Sequence, residues 1–254
     1  MNIMDTNKRI KDFGVSIFQL LVFLVCIPGI AMGQDSINKT DSQGRKHGKW
    51  IKKDSQGEVV YKGHFEHGNP VDTFRYFYSP EKIKAEIVHA KGDRITYATL
   101  YFKNGKMKAR GKYLEQKRDS IWTFYNNDGR KVSEKKFEGG RQDGLSKYYY
   151  NSGQLLEEIM FKDGVKNGRE VLYYRNGSLD KKRHYKEGKL HGPFTVFYPD
   201  GDTMTSGSYF NDIKKGKWEY FNKEGKLEKV RVYKQGELIK EKSFSDSPSS
   251  DENK

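Results

Sequence analysis

Residues 143–166 read DGLSKYYYNSGQLLEEIMFKDGVK and residues 167–190 read NGREVLYYRNGSLDKKRHYKEGKL, one pattern written twice. Gly144, Tyr149, Gly153, Phe161 and Gly164 return 24 residues later as Gly168, Tyr173, Gly177, Tyr185 and Gly188. A fixed period of this length marks a repeat array, whose units bury their apolar faces only against their neighbours. Started at Gly48, the period accommodates eight units over residues 47–238 without insertion or deletion. Arrays of this kind are commonly binding surfaces and seldom carry chemistry.

Three positions punctuate each unit. The first runs Gly48, Asp72, Thr96, Ser120, Gly144, Gly168, Gly192, Gly216; the second Gly57, Glu81, Gly105, Gly129, Gly153, Gly177, Gly201, Gly225; the third Gly68, Gly92, Gln116, Gly140, Gly164, Gly188, Asp212, Gly236. All three read as turns, with Asp, Ser or another turn-tolerant residue replacing most missing glycines. Asn104-Gly105, Asp128-Gly129, Asn176-Gly177 and Asp200-Gly201 make the second position the clearest hairpin signal. Between the turns lie two runs of six to eight residues rich in Tyr, Phe, Trp, Val and Thr, the composition of strands. Each unit is therefore expected to be a β-hairpin with a short return. Helix is expected to be nearly absent after residue 33.

Two aromatic rows form the expected spine. Lys53, Phe77, Tyr101, Tyr125, Tyr149, Tyr173, Phe197 and Phe221 lie in the first strand of successive units; Phe65, His89, Tyr113, Phe137, Phe161, Tyr185, Tyr209 and Tyr233 lie late in the second. Burying such a ring contributes roughly 1.5–3 kcal/mol, whereas ordering a unit costs about 1–2 kcal/mol per residue, so only stacked units hold. The expected fold is all-β, an elongated and twisted antiparallel sheet of eight 24-residue hairpins in a solenoid-like meander. Sixteen strands at about 4.8 Å span roughly 75 Å. Second strands alternate these rings with charge, as in Lys182-Arg183-His184-Tyr185, so one of their sides meets water. Two- and three-residue turns at the second position place the first-strand rings on different faces, so the register stays open. Lys52 and Lys53 at one end, and Lys240, Glu241 and Lys242 at the other, read as caps on the array.

Ahead of the repeats, Lys8, Arg9 and Lys11 precede an apolar run from Phe13 to Ile27, and Ala31-Met32-Gly33 supplies small residues before Gln34. This is the grammar of a secretory signal at 1–33, cleaved after Gly33. A retained membrane anchor is the first alternative, and a lipidated Cys26 another, though Val25 stands where a small residue is wanted. Each places the rest of the chain outside the cytoplasm, in the periplasm, at the cell surface or secreted. Residues 34–46 read as a linker, and residues 239–254 as a terminal cap followed by a disordered tail.

The single cysteine, Cys26, lies in the apolar leader, so a processed chain has no thiol for disulfide, metal or nucleophile. Histidines 47 and 191 occupy the same slot of the repeat, and His64 and His67 have no carboxylate spacing of a metal motif. No phosphate-binding glycine loop, nucleophile elbow or carboxylate pair stands out, so no catalytic residue, cofactor or metal ligand is assigned. Forty-eight basic against 34 acidic residues leave a formal net charge of +14. That excess suits a solvated surface that keeps strand edges apart, and equally an acidic partner. The best binding candidate is a third, broken aromatic row, Tyr78, Phe102, Tyr150, Tyr174 and Tyr198, interrupted by Asp54, Asn126 and Asn222. Its polar interruptions point to partial exposure, and aromatics beside Lys and Arg favour partner contact.

The pattern G-x-W, two or three aromatics, Asn/Asp-Gly, then G-x-Y/F and Gly resembles the MORN repeat, and is similar to the bacterial MORN-variant repeats known as YwqK-like antitoxins. Lys46-His47-Gly48-Lys49-Trp50, Leu190-His191-Gly192-Pro193-Phe194 and Lys215-Gly216-Lys217-Trp218 carry the resemblance, which extends over nearly all of 47–238. It implies an antiparallel hairpin meander used as a scaffold for protein or membrane-lipid contacts, or an antitoxin or immunity protein. A protein partner held by the third aromatic row and neighbouring basic strands is the expected function. A charge-driven binder of anionic lipid or polysaccharide is the rival, and export argues against nucleic acid.

Overall fold

The computed structural model describes residues 36–89 and 94–244. The leader, the cleavage position after Gly33, Cys26 and the tail beyond residue 244 lie outside the described residues. Every regular element among the described residues is a strand. They are β1 (Lys39–Thr40), β2 (Lys46–Lys53), β3 (Val59–Glu66), β4 (Asn69–Ser79), β5 (Lys82–His89), β6 (Ile95–Tyr101), β7 (Met107–Leu114), β8 (Lys117–Tyr125) and β9 (Lys131–Glu138). There follow β10 (Arg141–Tyr149), β11 (Leu155–Lys162), β12 (Val165–Tyr173), β13 (Leu179–Lys186), β14 (Lys189–Phe197), β15 (Thr203–Phe210), β16 (Ile213–Phe221), β17 (Leu227–Lys234) and β18 (Glu237–Ser243). Each pairs antiparallel with the next in sequence, making one open 18-stranded sheet. The eight units supply β2 to β17, two strands each. β1 and β18 flank them.

The two edges of the sheet carry different turns. At the second punctuation position, seven of the eight connections share the pattern seen after β6, where the Phe102 amide donates to the Lys106 carbonyl and the Gly105 amide to the Phe102 carbonyl. These are three-residue loops in which only the glycine is left-handed, with φ +82° at Gly105. Of the two turn lengths the sequence leaves open here, the three-residue one is adopted. The Asn104 side chain accepts from the Lys106 amide at 3.0 Å, as Asn176 does from the Ser178 amide, the usual self-bond of a short polar turn residue. The true two-residue turns lie at the third position, as at His67-Gly68 and Asp163-Gly164, where both residues have positive φ.

The first position is not a turn at all. Gly144 and Gly168 lie inside β10 and β12, where three residues on one strand face a single residue on the strand before, as 143–145 face Lys136. A left-handed φ inside a strand makes such a bulge possible and redirects the side chains that follow. Thr96 is the exception: it lacks a positive φ, and β5 and β6 pair without interruption.

Three-residue loops settle the register left open by the sequence. The two spine rows lie on opposite faces. The second-strand row shares its face with the residue two places after each first position, and that residue is buried in six of the eight units. Phe74, Trp122 and Trp218 are at most 3% exposed. Successive strands across the sheet read Trp50, Gly63, Phe74, Ile87, Ala98, Gly111, Trp122 along this line. Phe74, Trp122 and Trp218 each lie over a glycine of the strand before, because a single sheet has no second layer to accept the ring. A Cβ on Gly63, Gly111 or Gly207 would fall 2.2–2.4 Å from the ring of Phe74, Trp122 or Trp218. Each ring is thus folded flat over a neighbouring backbone. The Trp122 indole N–H donates to the Lys112 carbonyl at 2.9 Å and that of Trp218 to the Ser208 carbonyl at 3.2 Å. Tyr113 meets Trp122 edge-on with centroids 4.9 Å apart, and Tyr209 meets Trp218 likewise at 5.1 Å, the arrangement the ring quadrupole favours.

Candidate binding surfaces

Of the third aromatic row, Phe102, Tyr150, Tyr174 and Tyr198 occupy the position immediately before the hairpin loops on one edge of the sheet, and Tyr78 lies one residue further back, inside β4. Each is half-buried. Their hydroxyls are not free. Tyr78 donates to the Tyr101 carbonyl at 3.1 Å, Tyr150 to the Tyr173 carbonyl at 2.8 Å, Tyr174 to the Phe197 carbonyl at 2.8 Å and Tyr198 to the Phe221 carbonyl at 2.9 Å. Every acceptor belongs to the next unit, so these tyrosines pin one repeat to the following one. Where the row is interrupted, Asp54, Asn126 and Asn222 occupy the same slot. There the side-chain oxygen accepts from two amides of its own loop. The interruption is thus a change of capping chemistry, from a bond between units to one inside a loop.

What the row offers outward is ring face and nearby cation. The Arg175 guanidinium lies 4.8 Å from the Tyr150 ring centroid, and Lys84 and Lys103 lie 5.8 and 6.0 Å from that of Tyr78. Lys108 stands 5.8 Å from Phe102. Desolvation, followed by the charges of Asp180 and Asp200, pushes the Tyr174 hydroxyl above the usual phenol range. Tyr150, Tyr174 and Tyr198 fall on alternate strands, about 9.6 Å apart.

The face opposite the Trp–Gly row is ionic. The Tyr101 hydroxyl donates to Glu86 at 2.8 Å, Tyr149 to Glu134 at 2.7 Å and Tyr173 to Glu158 at 3.0 Å, each bond again joining two units. The bond from Arg75 and then that from Tyr101 hold Glu86 below the usual carboxylate range. Tyr149, and then Lys131, hold Glu134 down. Desolvation works to raise Glu158, but Lys147 and Tyr173 outweigh it and lower the net value. Desolvation first, and the carboxylate second, raise all three tyrosines.

Two features escaped the sequence reading. In units five and six the buried slot holds Ser146 and Glu170, both fully buried. Glu170 is clasped by Lys166 at 3.0 Å and by the Arg183 guanidinium. In this row the aromatic ring is replaced by a hydroxyl in unit five and by an ion-paired carboxylate in unit six. The signal was present, since residues 50, 74, 98, 122, 146, 170, 194 and 218 form a row as regular as the others. In unit three that row holds Ala98, and beside it a cleft of about 820 Å³ opens between Tyr76, Ile87, His89 and Tyr113. Burial there pushes the His89 imidazole below its usual value. Among the described residues no group of three or more His, Cys, Asp or Glu is placed to hold a metal ion.

The MORN repeat variant model matches residues 142–163 and 166–187, two tandem units spanning β10 to β13 and offset by the same 24 residues. No curated protein matches the chain. Among solved structures, a chain of the Photorhabdus luminescens Tc holotoxin pore bearing the TccC3-D651A mutation aligns at 12% identity with a TM-score of 0.21. That alignment covers 78% of this chain and 12% of that one. A likeness of that extent carries no argument about fold or function.

Proposed function

We infer that a chain carrying tandem MORN-variant repeats inside an uninterrupted hairpin sheet is a non-enzymatic repeat scaffold that binds a protein partner. The observation that supports this reading is the edge row. Half-buried rings lie in register on one edge, with cations seated over three of them. Aromatic residues and Arg are enriched in the cores of protein interfaces. The proposed site of action is outside the cytoplasm, on the strength of the basic, apolar and small-residue segments before Gln34.

The test separates ring from hydroxyl. Replacing Tyr150 and Tyr174 with Phe removes the bonds between units but keeps the ring faces; replacing them with Ser removes both. Capture from envelope extract by the full chain is expected to survive the Phe pair and fail with the Ser pair. Retention by the Ser pair overturns the reading. The net charge of +14 supports a second reading, binding of anionic lipid or polysaccharide. It predicts capture that collapses at high salt in every variant alike.

A further inference from the structure

The residue before each position of the buried row points out on the other face, since successive side chains alternate. In units three to five those outward residues are Tyr97, Ile121 and Leu145. Tyr97 is 56% exposed and Ile121 60%, and the two line a common shallow groove. Cross-strand pairing extends the strip, with Val88 opposite Tyr97 and Met160 opposite Leu145. Elsewhere the same slot is polar or lacks a large side chain: Thr73, Arg169, Pro193 and Lys217. The strip is therefore local to the middle of the array and is not a by-product of the repeat.

Its charge is one-sided. Five carboxylates on this face are already engaged: Glu86 by Arg75 at 2.8 Å, Asp119 by Lys112 at 2.8 Å, Glu134 by Lys131 at 3.0 Å, Asp143 by Lys162 at 2.8 Å and Glu158 by Lys147 at 3.0 Å. Arg110, Lys136 and Arg169 flank the strip, are exposed, and make no ion pair among the described residues. An occupant must therefore bring negative charge together with apolar side chains. Spacing narrows it further. Tyr97, Ile121 and Leu145 lie two strands apart, about 9.6 Å, while an extended chain in the polyproline II conformation brings every third side chain to the same side about 9.3 Å further on. A lipid surface fits less well, because it would bury the five paired carboxylates level with the strip.

We propose that Tyr97, Ile121 and Leu145, flanked by Arg110, Lys136 and Arg169, bind an extended acidic segment of a protein partner with an apolar side chain at every third position. This surface is distinct from the hairpin-edge row, so the two proposals fail separately. The test uses the full chain and a fluorescein-labelled peptide of repeated Leu-Glu-Glu triplets, followed by fluorescence anisotropy. Saturable binding is expected, falling with added salt, while a Leu-Lys-Lys peptide stays unbound. Tyr97→Ser and Ile121→Ser each weaken it by about tenfold, the usual loss for an interface anchor. Lys136→Glu weakens it as well. Should Tyr97→Ser lower the melting midpoint, the surface charge reversal at Lys136 carries the test alone. The proposal is overturned by absence of saturable binding, by equal binding of the lysine peptide, or by indifference to Ile121→Ser and Lys136→Glu. Competition by phosphatidylserine vesicles that depends on the same side chains overturns it in favour of a membrane surface.

Discussion

Placing a methyl group on Gly111 tests the idea that small residues and large rings share one volume across the sheet. The added Cβ would meet Trp122 ring carbons at 2.3, 2.4 and 2.5 Å, more than 1 Å inside ordinary carbon contact. Gly111 is not left-handed, so the backbone itself accepts Ala, and the stiffer unfolded chain returns about 0.4–1 kcal/mol. Overpacking of this kind costs about 1–3 kcal/mol, so Gly111→Ala is expected to destabilise by about 1–2 kcal/mol. Trp122→Ala alone, at a fully buried ring, costs about 3–5 kcal/mol. In the double variant the clash is gone, and Gly111→Ala turns neutral or mildly stabilising. The expected coupling between the two sites is therefore about 2 kcal/mol, well beyond the ~0.5 kcal/mol scatter of independent sites. Urea unfolding followed by circular dichroism measures all four corners of the cycle. Gly105→Ala serves as control, because its φ of +82° in open space imposes backbone strain of about 1–2 kcal/mol with no link to Trp122. Additive losses at Gly111 and Trp122 would refute the reasoning.

Further expectations follow from the bonds between units. Tyr150→Phe removes a bond to the next repeat and should cost about 0.5–1.5 kcal/mol in urea unfolding; Phe102→Tyr, restoring a hydroxyl to the one slot of the row that lacks it, should not destabilise. Glu170→Ala strips the carboxylate from Lys166 and Arg183, and should cost about 3 kcal/mol, the low end for a buried pair because both cations retain some solvent access. Glu86, Glu134 and Glu158 are lowered by their partners, so the stability they contribute is complete above their ordinary value of about 4.5 and drains away as pH falls below it. A urea midpoint that stays level from neutral pH to well below 4.5 would contradict that assignment.

The period, the strand content and the number of hairpins were legible in the sequence because each unit repeats its own grammar, and eight weak copies in phase outvote local ambiguity. The kind of turn was less legible. Asn104-Gly105 and Asp163-Gly164 look alike as dipeptides, yet one closes a three-residue loop and the other a two-residue turn. The difference lies in pairing across the strands, which no dipeptide encodes. Gly144 and Gly168 read as turns because a left-handed glycine serves a bulge as well as it serves a turn. The row through Trp122 and Glu170 was hidden for another reason. It mixes Trp, Phe, Ala, Ser and Glu, so residue type is not constant along it, and only the volume shared with Gly111 or Ile159 across the strand explains the variation. The row from Tyr78 to Tyr198 was found as a pattern. Its hydroxyl bonds to the following unit could be seen only once the register was known.

Because every strand in this sheet pairs only with the strands just before and just after it, no contact in the ladder waits for a distant part of the chain. Such low contact order favours rapid assembly. Each hairpin can dock as it emerges during synthesis. The newest strand is then always the growing margin, and the charged, fully exposed β18 is the last such margin among the described residues.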